Sequence, residues 1–310
     1  MAQGTVWSVV NYFGDLFTAS ALQTPVLNMI GGLGGKQQTD NFEFPTSQEY
    51  TQSPVSQPAI TETASVSAPT PISLTRTQYK NVCQIVHEGV SLTYAKLSTM
   101  GRLNGIATAG QVANPSSELD WQIAKALEKI ARDMEYSIIQ GTYAISTSAA
   151  VASTTRGLNA AAALGTTIAA AGATLSKTLI DKLLRDMFAA GAQFQNPVFI
   201  LNAFQKQMIS RLYGYAPTDR NVGGVNIKQI ETDFGNIGTV LDAFQATDTL
   251  LLADLSVCSV VTQPVPGKGN LFYETLGKTA AAEVGQIYGA LGLNHGPYFA
   301  HGSISGLATS

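Results

Sequence analysis

The sequence predicts an α+β fold organised on one long helix, and three stretches carry that prediction. Residues 116–141 set apolar side chains at spacings of three and four. Residues 176–213 read as helix, buried strand and helix. From Leu271 onward the chain returns to strand-like runs. A length of 310 residues suffices for one large core or two modest ones.

Composition narrows the function. Charged residues make up 13% of the chain, against about 25% in an average soluble domain. Gly numbers 29, and Ala, Thr, Ser and Gln are abundant. Low charge with many small polar residues implies that much surface is hidden, in a core or against other copies of the chain. A formal net charge of −3 without a clustered basic stripe excludes the footprint of a nucleic-acid binder. Cys83 and Cys258 have no metal-type spacing and are too few for a disulfide framework, which fits a reducing compartment. The start, Met1-Ala2-Gln3-Gly4, lacks the basic region of a signal peptide. Residues 157–176 are uncharged, but Leu158, Leu164, Ile168 and Leu175 are too few strong apolar groups to span a bilayer, so no membrane association is expected.

In chain order, residues 1–41 carry scattered apolar groups (Val6, Trp7, Phe13, Phe17) and a glycine cluster, Gly31 to Gly35. That is too little to form a core, so the stretch reads as an extended arm that packs on something else, bent at its glycines. Residues 42–51 suit a strand interrupted by Pro45, and 75–92 a second strand region. Between them lies a polar stretch with Pro54, Pro58, Pro69 and Pro71. A strand at each end and a Pro-rich tip predict a hairpin projecting from the body, although the composition also fits a disordered linker.

The long helix follows. Leu119, Ile123, Leu127, Ile130, Met134 and Ile138 share one face. Glu118, Asp120, Lys125, Glu128, Lys129, Arg132, Asp133 and Glu135 occupy the rest, and Glu128 to Arg132 is a favourably oriented pair. Ser117 with Asp120 resembles a capping box, and Gly141 is a natural stop. Residues 142–174 read as loop with little regular structure. Ser176 caps a second helix that Gly191 ends, Val198 to Leu201 is a buried strand, and Ala203 to about Tyr213 is a third helix. Residues 225–244 form a hairpin turning at Gly235-Asn236. Thr249 to Ala253, Leu255 to Val261, Leu271 to Glu274, Gln286 to Leu293 and Tyr298-Phe299 are further strands, and glycines in Val284 to Gly289 suggest bends or close backbone approach.

The search for chemistry finds no active-site constellation that holds, so an enzyme is not expected. Gly35-Lys36 and Gly277-Lys278-Thr279 end like phosphate-binding loops, but the first glycine would fall on Ile30 and Phe272. Gly302 to Gly306 imitates a nucleophile elbow with Ile304 where the serine must stand. His295 and His301 lack acidic or cysteine partners for a metal. His87 and Glu88 are adjacent on a strand and point to opposite faces. The spine-helix carboxylates have basic neighbours and read as a solvated or interface face. No catalytic, cofactor-binding or metal-ligating residue is assigned, and no cofactor is expected.

Taken together, the motifs resemble one family. Tyr79 to Val90 precedes Ser117-Glu118-Leu119-Asp120-Trp121-Gln122-Ile123-Ala124-Lys125, then Glu128, Arg132-Asp133 and Glu135. Downstream come Thr155-Arg156-Gly157-Leu158, Val198 to Asn202 with Lys206, Glu231 to Gly235 with Val240, Tyr273-Glu274, and Gly285 to Gly289. Their order and spacing, over roughly residues 25–300, is similar to the major capsid proteins of tailed bacteriophages with the Hong Kong 97-like fold. The resemblance implies an N-arm (1–42), a projecting E-loop (43–90), a peripheral domain (91–156 and 257–306) and an axial domain (157–256). It further implies a structural subunit that self-assembles into pentamers and hexamers of an icosahedral head around double-stranded DNA, without sequence-specific binding. Scaffolding, portal and decoration proteins would be its partners, the virion its location, and the host cytoplasm its place of assembly. The residues expected to carry assembly are Trp7 and Phe13 of the arm, the loop tip near 54–70, and the charged face of the spine helix. An encapsulin-like shell and a tail-tube or fibre subunit are the alternatives, with a hydrolase using the spine carboxylates behind them.

Overall fold

A computed structural model describes residues 23–50, 54–95, 118–213, 228–277 and 280–309. Two sheets share the body. The first is five-stranded and centres on β12 (Ala282–Asn294), which pairs along one edge with β4 (Gln84–Thr93). β11 (Leu271–Thr275) and β10 (Ser259–Thr262) follow one another along its other edge, and β1 (Gln37–Gln38) adds to β10. The second sheet has the order β5-β13-β9-β6-β8-β7, built from Thr166–Ala169, His301–Ser305, Leu250–Asp254, Pro197–Leu201, Gly235–Leu241 and Gln229–Thr232.

The short helix α1 (Pro25–Ile30) precedes β1, and a single turn, α2 (Glu62–Ser65), lies in the stretch after β2 (Glu43–Tyr50). β2 pairs with β3 (Arg76–Val82) as a separate two-stranded ribbon, with a register shift between Pro45 and Ser47. Proline donates no ladder bond, so the irregularity falls where the sequence interrupts the strand.

The spine is α3 (Glu118–Gln140), 23 residues and about 35 Å at 1.5 Å per residue. It lies across β4 and β12 of the first sheet. Ile130, Met134 and Ile138 are buried at its face, as the spacing predicts, while Leu119, Ile123 and Leu127 are half-buried. Ser117, the expected cap, lies outside the described residues, as do Val225 to Ile227 of the 225–244 hairpin.

α4 (Leu158–Leu164), α5 (Lys177–Ala190) and α6 (Ala203–Tyr213) serve the second sheet. Ser176 caps α5 by accepting from Leu179 N, and Gly191 ends it at a φ of +105. The alternation in β6 decides how the two cores divide. Val198 and Ile200 enter the core shared with α3, α4 and the first sheet. Phe199 and Leu201 enter the other core, with α5 and α6. A continuous apolar run is thus a strand covered on both faces.

Three sequence expectations need correction. The stretch 142–174 is not bare loop: it contains α4 and β5. Its Ala-rich sequence gave no periodic contrast, and burial of Leu158, Ala161 and Ala162 against neighbouring elements fixes the helix. Residues Ala282–Asn294 form one strand rather than a bent run, and of the two roles expected for its glycines close approach is the one observed: Gly285 and Gly289 make room for β11. A Cβ on Gly285 would stand 2.1 Å from Tyr273 Oη, and one on Gly289 2.8 Å from Leu271 Cδ1. Tyr298–Ala300 is a 3-10 turn rather than a strand. Gly141 does stop the spine, but for a different reason: its N–H closes on Ser137 O, and a Cβ there would lie 2.2 Å from that oxygen and 2.5 Å from Thr155 O. The glycine is needed for backbone approach.

Candidate assembly surfaces

The ribbon β2–β3 is tied down at its root. Asn81, at its inner end, is buried and makes four hydrogen bonds. Its amide donates to Arg156 O at 3.1 Å and Leu293 O at 2.6 Å, and its oxygen accepts from Val82 N and Arg156 N. Gly292 lets Phe44 and Val82 pack on β12: a Cβ there would meet Val82 O at 2.8 Å and Phe44 Cε1 at 2.9 Å. Around this root Glu43 bonds Lys80 at 2.9 Å and accepts from Tyr143 Oη at 3.2 Å. The Lys80 hydrogen bond outweighs desolvation and holds the Glu43 carboxyl below its ordinary pKa. Arg156 stacks over Tyr143 at 4.8 Å and hydrogen-bonds Tyr298 Oη, while Tyr79 packs edge-on against Tyr298 at 4.6 Å. A cleft of about 450 Å³ opens among Tyr79, Lys80, Tyr143, Arg156 and Tyr298.

Beyond the root, residues 54–74 are exposed throughout. Val55 is 97% exposed and Val66 84%, and Ile60, Ile72 and Leu74 are also exposed. Thr61 caps α2 through Ala64 N, yet α2 buries no residue. The loop tip expected near 54–70 is therefore a polar, Pro-rich segment that leaves its few apolar side chains in water on a braced stem. A second exposed apolar surface lies beside the stem, a groove of about 670 Å³ formed by Phe42, Ile85, Ile145 and Val151 with the small residues 149–153.

The charged face of the spine is divided. Lys125 pairs with Glu128 at 2.7 Å, and Lys129 with Glu88 of β4 at 2.5 Å. His87, on the other face of β4 from Glu88, meets Gln286 at 3.0 Å. The side chain of Glu118 lies outside the described residues. Glu135 departs from the expectation: it is fully buried. Its Oε1 accepts from Val26 N at 2.8 Å and its Oε2 from Leu27 N at 2.7 Å. α1 begins with Pro25, and Thr24 gives it no side-chain cap. The spine supplies that cap from 108 residues away. Burial, then a hydrogen bond with Asp242, raises the Glu135 carboxyl to about 8 against the pull of the two N–H groups.

Part of the arm is thus core of its own chain. Val26, Leu27 and Ile30 are buried against α3, β8 and β10. Trp7 and Phe13 lie outside the described residues. Sequence reasoning missed Asn81, Tyr298 and the burial of Glu135. The one available signal was Glu135 lying one residue past Met134, on the border of the apolar stripe.

The described residues hold no cluster of the metal-ligating type: no group of three or more His, Cys, Asp or Glu is placed to hold a metal among them. His295 and His301 are buried with neutral-type contacts: His301 Nε2 to His295 O, and His295 Nδ1 to Gly296 O at 2.7 Å. Cys83 and Cys258 are both free and buried, and burial pushes the Cys83 thiol to about 12. No described helix is long and apolar enough to cross a membrane.

Comparison with known proteins agrees with this geometry. The chain is similar to a subunit of the cyanophage A-1(L) capsid, with a TM-score of 0.65, 13% identity, and coverage of 97% of this chain and 96% of that one. It is similar to the capsid of a native GTA particle at a TM-score of 0.61 and 12% identity, covering 99% and 100%. The SrpI encapsulin of Synechococcus elongatus PCC 7942 follows at 0.55 and 11%, covering 96% and 93%. At these identities the likeness establishes the fold, which is Hong Kong 97-like. No curated protein matches the chain. The family model described as the SU10 major capsid protein matches residues 1–308, nearly the whole length. The chain belongs to the SU10 major capsid protein family and is a structural capsid subunit of a bacteriophage.

Proposed function

We propose that this subunit closes into pentamers and hexamers, and that these build an icosahedral head around double-stranded DNA. The observation that carries this reading is the braced stem whose tip leaves apolar side chains in water. Exposed Val55, Ile60, Val66, Ile72 and Leu74 need a second copy to leave water, and burial of each side chain is worth about 1.5–3 kcal/mol. One patch meeting a different patch on the next copy is a heterologous contact, which closes into rings. The tip of one subunit lies across the body of its neighbour.

The division that suits this role is an N-arm at 1–42, an E-loop at 43–90, a peripheral domain at 91–156 with 257–306, and an axial domain at 157–256. A net charge of −3 limits repulsion among many identical copies and keeps the subunit from clinging to the genome. Scaffolding, portal and decoration proteins are the further partners, and assembly takes place in the host cytoplasm before DNA enters. The shell carries out no catalysis: the spine carboxylates serve pairing and capping, as Glu128 with Lys125 and Glu135 with α1 illustrate. An encapsulin-type compartment is the second reading, favoured by the SrpI likeness.

Sedimentation and electron microscopy of the purified chain, with and without a scaffolding protein, test the proposal. Rings, shells or tubes are expected. A monodisperse monomer at high concentration under both conditions would overturn it. Particles isolated from the natural source separate the two readings, since a phage head contains DNA and a compartment contains cargo protein.

A further inference from the structure

The strongest unexplained feature of the molecule is the meeting of two carboxyl groups in its core. Glu135 comes from the spine, and Asp242 from the turn that follows β8. Both are buried, at 0% and 1% exposure. Asp242 N is held by Leu201 O at 2.8 Å, and its Oδ1 accepts from Phe244 N at 2.7 Å. Its Oδ2 is buried and receives no N–H or O–H from any other described group. Glu135 is the carboxyl that interacts with the Asp242 side chain, by hydrogen bonding and by charge. Two carboxylates in such contact repel strongly in a low-dielectric interior, whereas one shared proton turns repulsion into a short hydrogen bond.

The site joins three parts of the chain. α1 is held by the two Glu135 oxygens. The spine meets the Asp242 turn at two further points: Gln140 Nε2 donates to Phe244 O at 3.1 Å, and Tyr136 packs edge-on against Phe244 at 6.2 Å. We propose that Glu135 keeps a proton that it directs to the Asp242 side chain, and that the two act as a proton-held latch between the spine helix and the second sheet, which opens when Glu135 loses that proton.

The surroundings leave this pair to act on its own. α1, α4, β8 and β10 carry no ionisable side chain. On β4, Glu88 is engaged by Lys129, and His87 meets Gln286. On β12 the ionisable groups are Glu283 and Tyr288, on α6 Lys206 donates to Thr239, and Lys36 after α1 is exposed. On the spine itself, Arg132 stands one turn before Glu135, and Asp133 is exposed. Asp242 is the charged group that acts on Glu135.

Loss of the proton to solvent has a directional consequence. An ionised Glu135 binds the Val26 and Leu27 N–H groups more strongly and repels Asp242. The arm anchor stays in place while the 242–245 turn is pushed off the spine. The linkage has a definite sign. The folded carboxyl titrates near 8, above its ordinary 4.5, so the stabilisation is complete below about 4.5 and is lost as pH rises toward 8.

The test uses the full-length chain. Asp242→Asn keeps an oxygen for Phe244 N and offers an N–H to Glu135, which replaces the Glu135 proton. The ratio of the wild-type to the variant folding constant should fall by up to about tenfold per pH unit between pH 6.5 and 8. In wild type, exchange of the Phe244 amide should accelerate beyond its intrinsic rate above pH 8, while Val26 and Leu27 stay protected. Infrared spectra of wild-type protein labelled with 13C at glutamate carboxyls need no variant. A protonated-carboxyl band should be present at pH 6.5 and lost by pH 9. A pH-independent ratio, or no such glutamate band at pH 6.5, would overturn the latch.

Discussion

Single residues set the tightest constraints in this subunit. Gly141 and Gly157 bring two backbones together where the spine ends and the next segment starts. Gly157 N donates to Gly141 O at 2.8 Å, and a Cβ on either residue would fall within 3 Å of main-chain oxygen. Backbone cannot step aside as a side-chain tip can, so Gly141→Ala should cost about 3 kcal/mol or more in urea unfolding. Gly89 is the control: it lies in β4 with open space around its Cβ position, and Gly89→Ala should change stability by less than about 1 kcal/mol. The histidine pair gives the residue-scale pH prediction. Burial, helped by the neighbouring His301 ring, holds His295 down at about 3, and burial lowers His301 as well. His295 Nε2 and His301 Nδ1 are buried without partners, so protonation brings an unpaired charge into the core. Both groups bind fewer protons folded than unfolded. The His295 stabilisation is complete above about 6.5 and is lost as pH falls toward 3, by at most about 1.4 kcal/mol per pH unit, and the His301 contribution is lost in the same direction. His295→Phe keeps a ring stacked on Tyr298 and removes one titration. The difference in unfolding free energy between wild type and this variant should therefore shrink as pH falls from 7 to 5.

At the scale of elements, the helices were the most legible part of the chain. Ser176, Gly191 and the apolar stripe of α5 gave its limits within a residue, because caps and period both act locally. The spine was legible for the same reason, and its energetics divide as its faces do. Met134→Ala should cost about 2–5 kcal/mol, since the side chain is completely buried in the shared core. Lys125→Ala should cost less than about 0.5 kcal/mol, because it removes an exposed pair. Thermal or urea unfolding of the two variants checks both. Other elements were not legible, and the cause is long-range. α1 has six residues and no cap of its own; it exists because Glu135 reaches it from another element. α4 is Ala-rich and shows no stripe. The glycines of β12 left bends and close approach open when read locally, and Tyr273 and Leu271 on β11 decide for close approach. The stem of the ribbon was visible from its two strands, but Asn81, which fixes it to the body, has no sequence signature beyond being a polar residue next to a buried one.

On the scale of the whole molecule, the subunit divides into a self-sufficient body and parts that need another copy. The N-arm holds parts of both kinds. An arm that packs wholly elsewhere could be removed to residue 42 without harm to the body. The structure argues against that cut, because Val26, Leu27 and Ile30 belong to the core, Glu135 would lose both of its N–H partners, and β1 would leave the sheet edge. Removal of residues 1–42 should therefore lower the stability of the isolated subunit by several kcal/mol, whereas removal of residues 1–22 spares every one of these contacts. The tip is the complementary case. Residues 54–74 bury no apolar side chain in their own chain, so replacing them with a short Gly-Ser turn between the strands of the braced stem should leave the unfolding midpoint almost unchanged. The same replacement should abolish rings and shells, since the apolar surface that needs a neighbour is gone. Unfolding curves and electron microscopy on one preparation separate the two effects. Intact shells from the tip replacement would show that the exposed valines and isoleucines do not hold neighbours together, and a collapse in stability would show that the tip belongs to the body after all.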